Sequence, residues 1–191
     1  MQLFDCEESM ASAVASFLLD GVDAGQALLV AVTRRHWTAI GGELRQHGCD
    51  PEELQRRERL TVVDTDDALA SFMRRGAPVA ALFEQTVAAT VKRLAQSGGG
   101  LRIYGEMVEL LAQDGNYAGA AQLEELWNEL GADYSFTLLC GYSSAHFAGP
   151  DAGSALQGIC CQHSTAVCSP SDPLGEFLIG RMRASGTSAT A

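Results

Sequence analysis

The chain has 191 residues, 47% of them hydrophobic and 19% charged, proportions that fit one globular domain and exclude collagen, coiled coil and extended disorder. Thirteen Lys and Arg against 24 Asp and Glu leave a formal charge of −11, and no Lys or Arg stands among the acidic residues from Glu106 to Glu176; nucleic-acid binding, which needs a clustered basic face, is not expected. Nor is a membrane span expected, since no apolar run approaches roughly 18 residues. Asp5, Glu7 and Glu8 stand where a secretory leader would be basic, so a cytoplasmic protein with reduced thiols is expected.

Apolar spacing at Met10, Val14, Phe17 and Leu18 predicts an amphipathic helix over 8–20, with Gly21 as its stop. Ala27–Val32 is a continuous apolar run, suited to a strand covered on both faces. Thr33 is placed to cap a helix over 34–47 that Gly48 ends. The strand pattern returns at 60–63, 101–104 and 136–140. Between the second and third strands, 66–75 and 79–96 read as helices broken at Gly76-Ala77-Pro78, and Ser97-Gly98-Gly99-Gly100 turns into the next strand. Helices over 107–113 and 117–130 follow, hinged at Asp114-Gly115-Asn116. Leu123, Leu126, Trp127 and Leu130 share one face of the second, with Gly131 as the expected stop. A loop over 141–150 is a second candidate moving part, a last helix is placed around 173–183, and 185–191 is expected to be a disordered tail. Strands separated by helices predict a single α/β domain over 1–184, three layers deep, with a mainly parallel sheet flanked by helices.

In such a sheet, ligands bind beyond the carboxyl ends of the strands, here 33–36, 64–67, 105–107 and 141–142. Glu106 stands where a nucleotidase holds metal or activates water; the alternative is a carboxylate that complements its own helix dipole. A phosphate-cradling loop needs G-x-x-x-x-G-K-[ST]. The single lysine, Lys92, falls inside a predicted helix, and Thr33-Arg34-Arg35-His36 contains no glycine. Arg34 and Arg35 read either as anion contacts at a helix start or as solvated surface. G-x-S-x-G, H-E-x-x-H and C-x-x-C are absent from the sequence, while a triad scattered along the chain stays open. Cys160-Cys161-x-His163-x4-Cys168 carries metal-ligand residue types. Adjacent cysteines point apart, however, and buried cysteine usually behaves as a small hydrophobe, so no metal is expected. Trp127 reads as core, and Asn128 as a surface residue or a pocket amide.

Gly105-Glu106-Met107-Val108, Leu123-Glu124-Glu125-Leu126-Trp127-Asn128 and Phe136-Thr137-Leu138-Leu139-Cys140-Gly141-Tyr142 together resemble the MEDS domain, the sensory domain named for methanogens, methylotrophs and the dichloromethane-responsive repressor. The segment 60–64, with 68–73 and Gly76-x-Pro78, fits its middle, and Cys160-x2-His163-Ser164 its close, so the likeness spans roughly 27–167. The resemblance implies a RecA/KaiC-like fold that has lost its Walker A loop. It also implies a non-catalytic bacterial sensory module without a cofactor, binding a small, hydrocarbon-like or related ligand and acting on a signalling partner in trans, a histidine kinase or transcription regulator, with oligomers allowed. The ligand-binding set expected from the strand ends and the family signature is Thr33, His36, Asp64, Glu106, Trp127, Asn128, Tyr142 and His163. Family members often carry a histidine shortly before an aromatic near the N-terminus; this chain has Met1-Gln2-Leu3-Phe4-Asp5 there, and if that histidine contacts ligand elsewhere in the family, the ligand here differs or is absent. Two other readings stay open: a divergent nucleotide-binding protein of the P-loop superfamily with Glu106 at its phosphate site, and a ligand-free protein-interaction module.

Overall fold

The computed structural model describes residues 1–96, 98–147, 156, 158–159 and 162–184. In chain order the elements are β1 (Gln2–Phe4), α1 (Glu7–Asp23), β2 (Ala27–Val32), α2 (Arg34–Gln46), α3 (Pro51–Arg56), β3 (Leu60–Asp64) and α4 (Thr65–Phe72). A hairpin of β4 (Met73–Arg74) and β5 (Ala77–Pro78) follows, then α5 (Ala80–Phe83), a π-helical turn (Glu84–Ala88), α6 (Ala89–Ala95), β6 (Leu101–Gly105), α7 (Met107–Gln113) and α8 (Tyr117–Asp133). The chain continues through β7 (Thr137–Ser143), a 3₁₀ turn (Ser144–Phe147), β8 (Val167–Cys168) and α9 (Pro173–Ala184). Six strands make one sheet in the order β3-β2-β6-β7-β1-β8, every pairing parallel.

The alternation of side chains across each strand builds two cores, one on each face. Leu28, Val30 and Val32 of β2 and Tyr104 of β6 face α1, α2 and α3, where Val14, Leu18, Ile40, Leu44 and Leu54 meet them. Leu29 and Ala31, with Ile103, face the other way, onto Phe72, Phe83, Met107, Leu123 and Trp127 from α4, α5, α7 and α8. That is the three-layer α/β sandwich expected from continuous apolar strands separated by helices. The aromatic rings of the second core meet edge to face: Phe72 on Phe83 at 5.5 Å between centroids, Phe83 on Trp127 at 5.7 Å, Trp127 on Phe136 at 6.2 Å.

Several local expectations change. Gly21 does not end the first helix, which runs to Asp23 and closes at Ala24 before Gly25 at φ +70°. Its role is proximity: a Cβ at position 21 would lie 2.7 Å from Leu28 Cδ2, so the missing side chain is what lets α1 lie against β2. The helix expected over 66–75 stops at Phe72, because Arg75 and Gly76, at φ 53° and 82°, turn the chain into the β4–β5 hairpin. Gly131 lies inside α8, which continues to Asp133 before Tyr134 turns extended. The loop expected from Gly141 begins instead with the last residues of β7, followed by the 3₁₀ turn to Phe147. Two short strands, β1 and β8, and the helix α3 are additions to the expected elements. Ser97, Gly149-Pro150, Cys160, Cys161 and the tail over 185–191 lie outside the described residues. No helix among the described residues is long and apolar enough to cross a membrane.

Candidate functional site

β2 and β6 are neighbours in the sheet, yet α2 leaves the end of β2 toward one face and α7 leaves the end of β6 toward the other. The divergence opens a crevice at the carboxyl ends of the strands, the place where open α/β sheets bind ligands. Glu106, the residue after β6, fills its floor and is 3% exposed. Its side chain makes no capping bond to its own helix; it turns to the neighbouring loop. The Thr33 amide donates to Glu106 Oε2 at 3.2 Å, the Tyr104 hydroxyl donates to Oε1 at 3.0 Å, and His36 Nδ1 lies 2.8 Å from Oε1. A carboxylate at the N-terminus of α2 complements that helix dipole and takes up an amide that a bound anion would otherwise contact. His36 is partly open to the crevice. Its hydrogen bond to Glu106, reinforced by the charges of Glu106 and Glu7, raises its pKa above the ordinary 6.5 despite partial burial.

A second pair lines the same crevice. Glu109, one helical turn after Glu106, accepts from the Ser143 amide at 2.9 Å, and His146 Nδ1 lies 2.6 Å from the same Oε1. Burial raises the Glu109 pKa, opposed by the Ser143 amide and by His146. With a carboxylate beside each Nδ1, the neutral imidazoles donate from Nδ1 and keep Nε2 for another partner. Both pairs border one cavity of about 480 Å³, whose walls also include Phe4, Met10, Thr33, Tyr104, Leu110 and Tyr142. Gly141 is part of this wall, and a Cβ there would sit 2.6 Å from the Tyr104 hydroxyl and 3.0 Å from Phe4 Cε2. The lining is mixed, with Asp5, Glu7, Arg35, Gln113 and Ser143 also on it, and convergent polar groups are what fix the orientation of a ligand in a small-molecule site.

Of the residues expected from the sequence, Thr33, His36, Glu106 and Tyr142 come together at this cavity. The other four do not line it. Asp64 caps α4, accepting from the Asp66 and Asp67 amides, and meets Arg34 at 3.2 Å. Those amide bonds, with Arg34, hold its pKa below the usual carboxylate value. Trp127 borders a separate, mostly apolar cavity of about 320 Å³ between α4, the π-helical turn and the sheet. Asn128 is exposed and donates to Gln162 Oε1 at 2.8 Å. His163 lies in a buried group with Glu124, Cys140 and Tyr142: the Tyr142 hydroxyl donates to Glu124, and His163 Nε2 is 3.4 Å from Glu124 Oε1. Desolvation raises the Glu124 pKa to about 7 and lowers that of His163 to about 4. Arg34 and Arg35 are highly exposed, and Arg35 pairs with Glu7 at 2.6 Å. Lys92 pairs with Glu84 at 2.6 Å on α6.

Compared with protein families, residues 1–163 match the model of the methanogen/methylotroph, DcmR sensory domain, MEDS. The chain belongs to the MEDS family. No curated protein matches it. MEDS is a family of sensory domains, which is consistent with a signalling role.

The MEDS match begins at residue 1 and so takes in β1, whose Phe4 forms part of the cavity wall. The sequence reading missed several polar contributors, among them Glu7, Tyr104, Glu109 and His146. Glu109 carried a usable signal, since a residue three after Glu106 on the same helix start shares its face. His146 carried none, because the turn after β7 has no pattern in which its position could be read.

Proposed function

We propose that this MEDS domain is a non-catalytic cytoplasmic sensor that takes a small organic ligand in the cavity between His36–Glu106 and His146–Glu109. The observation that carries the reading is the pairing itself: two imidazoles, each anchored by a buried carboxylate, border one cavity of about 480 Å³. The imidazole Nε2 atoms suit a polar head with hydrogen-bonding capacity, and Phe4, Met10 and Leu110 suit a short hydrocarbon body. Ligand contact with His146 bears on the turn after β7, and contact with His36 bears on the start of α2. A ligand that prefers one arrangement of these two segments shifts their population by its differential affinity. A signalling partner, a kinase or transcription regulator, reads the result.

Native mass spectrometry of the purified protein, set against its denatured mass, tests this reading. The expected result is an organic adduct that is lost in the Glu106→Gln and His146→Ala variants. Magnesium-dependent ATP binding, or an adduct unaffected by both substitutions, would move the function elsewhere.

A further inference from the structure

Away from the two histidine–glutamate pairs, donors from three separate parts of the chain converge in the core: Glu124 of α8, Cys140 of β7 and His163 of the segment before β8. One ligand atom from each lies within 4.8 Å of the other two. All three side chains are deeply buried, with Glu124 2% and Cys140 3% exposed and the His163 side chain 8% exposed. His163 Nδ1 lies 2.9 Å from the Ile159 carbonyl oxygen, which can only accept, so Nδ1 carries the ring proton and Nε2 presents a bare lone pair. That Nε2 is buried and has no hydrogen-bond partner among the described residues. A buried acceptor left without a donor costs free energy and calls for an explanation. Glu124 is the nearby polar group, at a distance but not in a geometry that makes the bond.

We propose that Glu124, Cys140 and His163 form a binding site for a divalent transition metal of the zinc class. Thiolate, imidazole and carboxylate are the ligand types zinc takes, at about 2.0–2.3 Å, which places ligand atoms roughly 3.3–3.8 Å apart in a tetrahedron. Glu124 Oε1 and His163 Nε2, 3.4 Å apart, already have that spacing, and the widest separation in the trio, within 4.8 Å, has to close by up to about 1 Å. Two supports of a metal shell are already present: the Ile159 carbonyl fixes the His163 tautomer, and the Tyr142 hydroxyl orients Glu124. Coordination displaces the Cys140 thiol proton to solvent and leaves a fourth position for water or a small ligand. The Met1 amino group, donating to Thr165 O at 2.7 Å, adds a positive charge nearby against which the cation competes.

Cobalt(II) titration of the full chain after chelator treatment tests the site, because a thiolate ligand gives cobalt a near-ultraviolet charge-transfer band. The band is expected to saturate at one equivalent, to vanish when zinc is added, and to be lost in Cys140→Ser. In His163→Gln, cobalt binding weakens by more than about a hundredfold, beyond the scale on which supporting residues act. The double variant Cys160→Ser/Cys161→Ser retains the band, which separates this site from the neighbouring cysteines. If Cys140→Ser does not fold by circular dichroism, Glu124→Gln and His163→Gln decide the matter. No band in the wild type, or a band that survives Cys140→Ser or disappears in the double variant, overturns the proposal and leaves the trio as a buried polar cluster.

Discussion

Glu106 is the residue on which the cavity turns, because its one carboxylate serves a backbone amide, a buried phenol and an imidazole at once. Replacing it with Gln keeps the size and removes the charge. The His36 pKa, held above its ordinary value first by the Glu106 hydrogen bond, is expected to fall, as read from the imidazole proton shifts across a pH titration. An unchanged titration would show that Glu106 does not set the state of His36. Gly141 makes a steric prediction. A methyl group there meets the Tyr104 hydroxyl and the Phe4 ring at 2.6 and 3.0 Å, both in the packed layer under α1, so Gly141→Ala is expected to cost about 1–3 kcal/mol. Urea denaturation measures it, and a variant as stable as the wild type would mean that this wall yields freely.

Asp64 separates structure from binding at the level of elements. Its side chain accepts from the Asp66 and Asp67 amides at the start of α4 and does not reach the cavity. Asp64→Ala is therefore expected to lose about 0.5–2 kcal/mol of stability, the usual worth of an N-cap, while ligand binding at the cavity is retained; loss of binding without loss of stability would reverse the assignment. The legibility of the sequence also divides by element. β2, α2, β6 and α8 were readable because each has a run long enough for its apolar pattern to show. β1 and β8, three and two residues long, offer no period and exist through pairing with partners far along the chain. Gly21 and Gly131 misled for a common reason: a glycine within a helix can serve close packing or simply be tolerated, and only tertiary structure distinguishes this from a stop. Half of the expected site residues meet at the strand ends because fold topology alone dictates that location. The histidine–glutamate pairing across the crevice depends on the turn after β7 and lay beyond local pattern.

Across the whole molecule, His36 ties stability to pH. Its folded-state pKa is raised, so its contribution is fully present below the ordinary 6.5 and is lost as pH rises through the higher folded value. Glu109, raised mainly by burial, acts in the same direction at lower pH, losing stability as it ionises above its ordinary 4.5. The pH dependence, above the ordinary 6.5, of the difference in unfolding free energy between wild type and Glu106→Gln reports the His36 part. That difference is expected to shrink as pH rises from the ordinary 6.5 through the raised folded value, and a difference that is constant with pH would contradict the linkage. The proposed sensing role rests on one ligand touching both histidine–glutamate pairs. The most direct measurement is the NMR response of the His36 and His146 imidazole protons to a library of small alcohols, carboxylates, amines and halogenated hydrocarbons. A ligand site between the two pairs predicts saturable shifts at both histidines with one common affinity, lost in Glu106→Gln; shifts confined to the apolar cavity beside Trp127, or no response at either histidine, would contradict it.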